Sequence, residues 1–291
     1  MEDIFKDKSN FDKDGYFDLD KKSYQKSDKQ IQCNYSSCEG WITIDNQEIL
    51  LKTVEEDKSI YINPLERDIE LYNNILIPEL LEMINVKHAK YYLGRNKEKR
   101  YIMTPSFLKN GQKIVPGSEI IEDEAKSEII EEQLKSIEES VRNKGIQEEK
   151  IEEYKNKHLQ KLFISKWLGI VDFHTDNWGI IEDKNGNVVE EMPLIDFECL
   201  DIDIQSEDFA NRLQDGKLDL NAFLKKYKNC PQIKETIEKI KSNINIKGIF
   251  QNAYKNTNVM IKDPNLQRYY YEYFNQIIRK MKTQEYGERN R

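Results

Sequence analysis

The sequence is poor in the residues that build metal centres and disulfide frameworks. It has three histidines, His88, His158 and His174, and four cysteines, Cys33, Cys38, Cys199 and Cys230. Cys33 and Cys38 would make half of a zinc site, but no second Cys or His pair stands at ligand spacing, so zinc is not expected. Scattered cysteines in a long chain fit reduced thiols in a cytoplasm. No apolar run reaches the roughly eighteen residues that a membrane helix needs. The opening Met1-Glu2-Asp3-Ile4-Phe5-Lys6 has no signal-like apolar stretch. The expectation is a soluble bacterial cytoplasmic protein without a membrane span, with delivery to a host cell by a non-classical route as the alternative. No long basic stripe is present, and the net charge is -8 with both signs interspersed, so direct nucleic-acid binding is not expected. No repeat period is visible.

What is present is a chain of 291 residues, 38% hydrophobic and 34% charged, long enough to bury a core in two lobes. Residues 1–30 are dense in Lys, Asp and Ser, with Phe5, Phe11, Tyr16 and Phe17 scattered among them. That texture predicts an N-terminal extension, mobile or loosely docked. Residues 31–104 read as a β-rich segment. Trp41–Ile44 and Glu48–Val54 flank an Asp45-Asn46 turn, a helix pattern runs from Pro64 with Pro78 inside it, and strands follow at Ala89–Leu93 and Tyr101–Thr104. Residues 105–291 open with a connector carrying Asn110-Gly111 and Pro116-Gly117 turns, then turn mainly helical. The fold class predicted is α+β, with a small β-rich N-lobe and a larger helical C-lobe.

The helical half is interrupted once. Asp172-Phe173-His174-Thr175-Asp176-Asn177-Trp178-Gly179 follows an apolar helix, and Pro193-Leu194-Ile195-Asp196-Phe197 comes about twenty residues later. Asn185-Gly186 between them is a hairpin signal. An ATP phosphotransferase needs a cation on the phosphates, a loop covering them, two metal ligands and a carboxylate beside the incoming hydroxyl. Lys52, alternating on its strand with Ile49 and Leu51, can supply the cation, with Glu70 or Glu66 of the following helix to hold it. The Ser36–Gly40 loop can cover the phosphates. Asn177 and Asp196 offer the oxygen donors that Mg²⁺ takes. Asp172, five residues before Asn177, can deprotonate a hydroxyl. Taken singly, each has a bland reading: a solvated lysine, a carboxylate at a helix end, turn residues.

Asp172-x-His174-x-x-Asn177-Trp178-Gly179 resembles the Asp-Arg-His-x-x-Asn-[Trp/Phe]-Gly signature of HipA-like bacterial serine/threonine kinases. Leu194-Ile195-Asp196-Phe197 is similar to their metal-binding motif, and Leu50-Leu51-Lys52 to their nucleotide-lysine strand. Ser106-Phe107-Leu108 and Pro116-Gly117-Ser118-Glu119 resemble their connector after the hinge. The resemblance covers roughly residues 31–200. It implies a protein-kinase-like fold, ATP and Mg²⁺ as cofactors, and a protein substrate phosphorylated on Ser or Thr. It implies Asp172 as base, Asn177 and Asp196 as metal ligands, Lys52 on the α/β-phosphates and His174 as a structural brace. Ser36 and Ser37 stand where the family can be autophosphorylated, and Gly40 is the single glycine of that loop. Leu50, Met103 and Thr104 would border the adenine, the last two through their backbone. Many members are toxins of toxin–antitoxin pairs, so an antitoxin or regulatory partner is an expectation.

The sequence departs from the family at Phe173, which replaces Arg, at Glu198, where many kinases have Gly, and in the single loop glycine. These departures motivate a second reading, a nucleotide-binding pseudokinase. A third is a small-molecule or lipid kinase, with the acidic stretch Glu182–Asp208 receiving a cationic substrate. A metal-dependent hydrolase on His174, Asp176 and Asp196 ranks last. Asp176 itself is read as a surface residue.

Overall fold

The computed structural model describes residues 3–27, 38–54, 64–97, 99–121, 129–170, 173–197 and 220–283. In chain order the elements begin with β1 (Phe17–Asp18), β2 (Gln25–Lys26), β3 (Cys38–Ile44), β4 (Gln47–Thr53), α1 (Pro64–Met83), β5 (Tyr92–Arg95), β6 (Arg100–Pro105) and β7 (Lys113–Pro116). There follow α2 (Gly117–Ile120), α3 (Ile130–Asn143), α4 (Glu148–Leu168), β8 (Gly179–Glu182), β9 (Val188–Glu191), α5 (Leu220–Tyr227), α6 (Pro231–Asn243), α7 (Ile246–Thr257) and α8 (Pro264–Thr283). They form two compact units. The first comprises Met1–Met83, His88–Phe107 and Ile244–Asn275; the second comprises Ile84–Lys87, Leu108–Asn243 and Gln276–Arg291. The division differs from the expected cut at residue 104, because α7 and most of α8 belong to the β-rich unit. Glu79 of α1 and Asn256 of α7, and Tyr270 of α8 with the Ile69 carbonyl of α1, join these helices by hydrogen bonds.

The first unit is built on a six-stranded sheet of order β1-β5-β6-β4-β3-β2. Asp45 and Asn46 both take positive φ, 48° and 64°, in the two-residue turn that a right-twisted hairpin requires. Ile44 then pairs with Gln47 and the hairpin zips. The lead-in is not a loose tail. Its β1 pairs in parallel with β5 and its β2 antiparallel with β3, so it closes both edges of the sheet. Phe5, Phe11, Phe17 and Leu19 sink into one core with Ile42, Ile44, Ile49, Leu51 and Met103. Phe5 stacks on Tyr92 with centroids 3.8 Å apart, and Phe11 meets Phe17 edge-on. Each such ring stabilises by about 1.5–3 kcal/mol on burial, enough to hold a polar segment down. Pro78 does not split α1, which runs unbroken for 20 residues.

The second unit places α3 against α4 and α4 against α5 and α6. Gly169, in the left-handed region at φ 75°, ends α4, its N–H bonded to the Ser165 carbonyl. A three-stranded antiparallel sheet, β7-β8-β9, follows. Its β8 and β9 form the hairpin expected around Asn185-Gly186, with Gly186 at φ 81°. Its third strand, β7, lies in what reads from sequence as a plain connector, because four residues ending in proline leave little period to detect. Trp178, Ile180, Val188, Val115, Ile137 and Val141 form the core beneath it.

Candidate active site

In the first unit, β4 presents Lys52 as its alternation requires. Ile49 and Leu51 are buried on the face covered by the lead-in, while Leu50 and Lys52 are half-buried on the opposite face. Gly40 pairs with Leu51 at a register shift in β3 and takes φ 115°, a conformation open to glycine and costly for other residues. Ser36 and Ser37, the rest of the expected phosphate loop, lie outside the described residues. Glu66 and Glu70 fall on α1 by backbone, but their side chains also lie outside the described part. Asp68, between them on α1, lies 3.5 Å from Arg100 of β6.

The backbone of Met103 and Thr104, expected to border adenine, is taken up within the sheet. Val54 N–H bonds the Arg100 carbonyl and Ser106 N–H bonds the Glu48 carbonyl, so even-numbered residues of β6 point their backbone at β4. Odd-numbered residues point at β5, as the bond from Asn96 N–H to the Lys99 carbonyl shows. Thr104 therefore pairs with Leu50, and Met103 with Tyr92, within the ladder. The Met103 side chain, fully buried, faces the lead-in core. Met103 and Thr104 cannot offer their backbone to a base edge. The next backbone group of β6 on the β5 side is the carbonyl of Pro105, its last residue, which lies past the Tyr92 end of β5.

In the second unit the hairpin organises the polar residues. The bond from Met192 N–H to the Gly179 carbonyl extends the β8–β9 ladder to its open end. Asn177, just before β8, and Asp196, shortly after β9, both emerge from that end. Asn177 is buried and sits in a single 3-10 turn, Thr175–Asn177. His174 caps this turn, its Nδ1 accepting the Asp176 N–H at 3.2 Å. Asp196 has φ 59°, one of five non-glycine residues described in that region. A left-handed backbone costs an aspartate on the order of 1 kcal/mol and is held only where surroundings fix it. Phe197, fully buried, anchors the next position. Asp172 lies outside the described residues. Phe173 packs on the core instead of presenting a cation.

Residues that the sequence left without a role brace this end. Asp176 is exposed, as expected of a surface carboxylate, and it accepts the Ser118 hydroxyl of α2, 58 residues away in sequence. Gly117 N–H donates to the Trp178 carbonyl at 2.8 Å, and a Cβ there would come 2.4 Å from the Trp178 ring and 2.6 Å from the Thr175 carbonyl. The Pro116-Gly117-Ser118-Glu119 run carries the sequence signal for this clasp. Below it, Lys161 of α4 is buried, 3.0 Å from Glu191 and bonded to the Met192 carbonyl that leads towards Asp196. Burial pulls the Lys161 ammonium down and pushes the Glu191 carboxyl up, and their pairing opposes both shifts. His158 lies tilted against Trp178, its Nε2–H donates to Gln133 Oε1 at 2.7 Å, and burial holds it neutral, its pKa lowered to about 3.

Three described carboxylates of the acidic stretch offered for a cationic substrate are paired with lysines from outside it. Glu182 meets Lys113 and Lys144, Glu190 meets Lys87, and Glu191 meets Lys161. Among the described residues no group of three or more His, Cys, Asp or Glu could cage a metal. One amide and one carboxylate suit Mg²⁺, which keeps waters and shares its sphere with phosphates. No helix described is long and apolar enough to cross a membrane.

No protein-family model matches the sequence, and no curated protein is detectably similar to it. Solved structures are similar in fold. The Helicobacter pylori proinflammatory kinase CtkA matches with a TM-score of 0.60 at 14% identity, over 92% of this chain and 94% of that one. A chain of the Shewanella oneidensis MR-1 toxin–antitoxin complex of HipA, HipB and operator DNA matches with a TM-score of 0.47 at 12% identity, over 81% of this chain and 57% of that one. The likeness to CtkA establishes that this chain has a kinase-like fold, with a small β-rich part and a helical part.

Proposed function

We propose that the protein is an ATP- and Mg²⁺-dependent phosphotransferase, a HipA-like kinase that phosphorylates Ser or Thr of a protein substrate. The observation that carries this reading is the β8–β9 hairpin, which sends Asn177 and a backbone-strained Asp196 out of the same end. The kinase-like fold supports it, because in that fold a catalytic-loop Asn and a metal-loop Asp hold the Mg²⁺ ions. Mg²⁺, held by Asn177 and Asp196, would offset the charge of the phosphates. Lys52 would orient the α- and β-phosphates from the half-buried face of β4. The Pro105 carbonyl would meet the base edge, with Leu50 against its ring. Gly40, and Ser36 and Ser37 before it, would cover the phosphates. Asp172 would take the proton of the attacking hydroxyl as its oxygen bonds to the γ-phosphorus and the bond to ADP breaks. His174, Ser118 and Gly117 would hold the loop in place. A cytoplasmic site of action and an antitoxin or other regulatory partner belong to the same reading.

Phe173 favours one alternative, a nucleotide-binding pseudokinase, since no arginine stands there to sense a phosphorylated segment. The paired carboxylates around β8 and β9 give no support to a cationic small-molecule substrate. Labelled γ-phosphate transfer separates the readings. Wild-type protein with Mg²⁺ and ATP should label a Ser or Thr, in itself or in a cell extract. Asp172→Asn and Asp196→Ala should each lower the rate by about a hundredfold or more. Nucleotide binding with no transfer above these variants would establish the pseudokinase instead.

A further inference from the structure

The first unit contains a cavity of about 380 Å³ in which none of the proposed nucleotide residues takes part. It lies between the lead-in, the C-terminal half of α1, the segment before β5 and the end of α7. Its size and mixed lining are those of a small-molecule site. One part of its wall is apolar: Phe5, Phe11 and Tyr92 from the aromatic cluster, with Ile75 and Pro78 of α1. The notable group on it is Glu79. This carboxylate is 6% exposed, and both of its oxygens face one neutral donor, the Asn256 amide, at 3.1 and 2.9 Å. Among the described residues no cation is bonded to it, and Lys90 at the rim acts on it only through space. Buried carboxylates are ordinarily matched by a positive partner, and one amide leaves most of the acceptor capacity unused. Burial accordingly raises the Glu79 pKa.

The rim has the opposite charge. Lys6, Lys8, Lys90 and Lys255 line the cavity and are exposed to water. Asp3 and Glu82 only partly offset them, and Glu82 is engaged with His88 at 3.2 Å. A purely cationic ligand would be drawn to Glu79 but repelled by the lysines. A purely anionic ligand would be drawn to the lysines but would leave Glu79 unpaired.

We propose that this cavity binds a small zwitterion of the free amino-acid class, its ammonium against Glu79, its apolar part along the aromatic wall and its carboxylate at the lysine rim. Such an occupant supplies the cation that Glu79 lacks and the anion that the rim favours. The cavity would then be a ligand site separate from the phosphoryl-transfer residues, and its occupancy does not depend on the kinase reading.

Isothermal titration of the full-length protein with the individual free amino acids tests this. At least one should bind at millimolar concentration or below. Its deaminated and its decarboxylated counterparts should each bind about tenfold more weakly or worse. Glu79→Gln keeps the size of the side chain and should remove the binding while circular dichroism stays native. Lys90→Glu, at the exposed rim, should weaken binding by about tenfold without touching the core. Absence of binding by every amino acid, or binding unchanged in Glu79→Gln, would overturn the proposal, as would a decarboxylated amine that binds as well as its parent.

Discussion

Replacing Gly117 by alanine adds one methyl group at a confined point of the clasp between α2 and the Thr175–Asn177 turn. The added Cβ would sit 2.4 and 2.5 Å from two Trp178 ring carbons and 2.6 Å from the Thr175 carbonyl oxygen. Trp178 is 2% exposed, so its ring has no free direction in which to retreat. Overpacking of this kind costs about 1–3 kcal/mol, and loss of the 2.8 Å bond from Gly117 N–H to the Trp178 carbonyl adds about 1 kcal/mol. The expected loss is therefore about 2–4 kcal/mol. If the loop moves instead of the helix, the strain appears as misplacement of Asn177, and a shift near 1 Å can lower a rate by about a hundredfold. Urea unfolding reads the first effect and γ-phosphate transfer the second. Gly186→Ala is the control. Nothing lies within 4 Å of a Cβ there, so only its φ of 81° is charged against it, about 1 kcal/mol, with transfer unchanged. A Gly117→Ala protein as stable and as active as the wild type would refute the argument that this clasp positions the loop.

Three further outcomes follow from the packing. Phe5→Ala should destabilise by about 3–5 kcal/mol, as a core ring does, whereas a loosely attached extension would show no change in denaturant midpoint. Lys161→Met should destabilise by about 3–5 kcal/mol because Glu191 is left buried and unpaired, and the Lys161→Met/Glu191→Leu pair should recover most of that loss; a pair no more stable than the single variant would contradict it. His158, ordinarily titrating near 6.5 but held at about 3 in the fold, binds its proton more readily in the unfolded chain. Its contribution is complete above pH 6.5 and is lost as pH falls towards 3, at up to about 1.4 kcal/mol per pH unit. Unfolding midpoints between pH 6.5 and 5 should therefore fall more steeply for wild type than for His158→Gln, and equal slopes would show that His158 is not held neutral.

What the sequence made legible was local. Strand alternation placed Lys52 on the face opposite Ile49 and Leu51, and turn chemistry at Asp45-Asn46 and Asn185-Gly186 located both hairpins. The order of Lys52, Asn177 and Asp196 pointed to a kinase-like fold, which the likeness to CtkA bears out. What escaped was long-range. The lead-in looked mobile because its few aromatics are diluted by charge, and only the edges of a sheet formed later in the chain give them a partner. The Ser118–Asp176 bond joins residues with no shared period. Met103 and Thr104 read as an adenine edge because strand ends are uncertain by a residue or two, and here β6 runs to Pro105.

The central claim is that Lys52, Asn177 and Asp196 serve one bound Mg²⁺ and nucleotide. A crystal structure of the protein with a non-hydrolysable ATP analogue and Mg²⁺ tests it most directly. The account predicts the Lys52 ammonium on the α- and β-phosphates, the metal bound by Asn177 and Asp196, and the base edge at Pro105. Nucleotide bound elsewhere, or a metal that touches neither Asn177 nor Asp196, would contradict it.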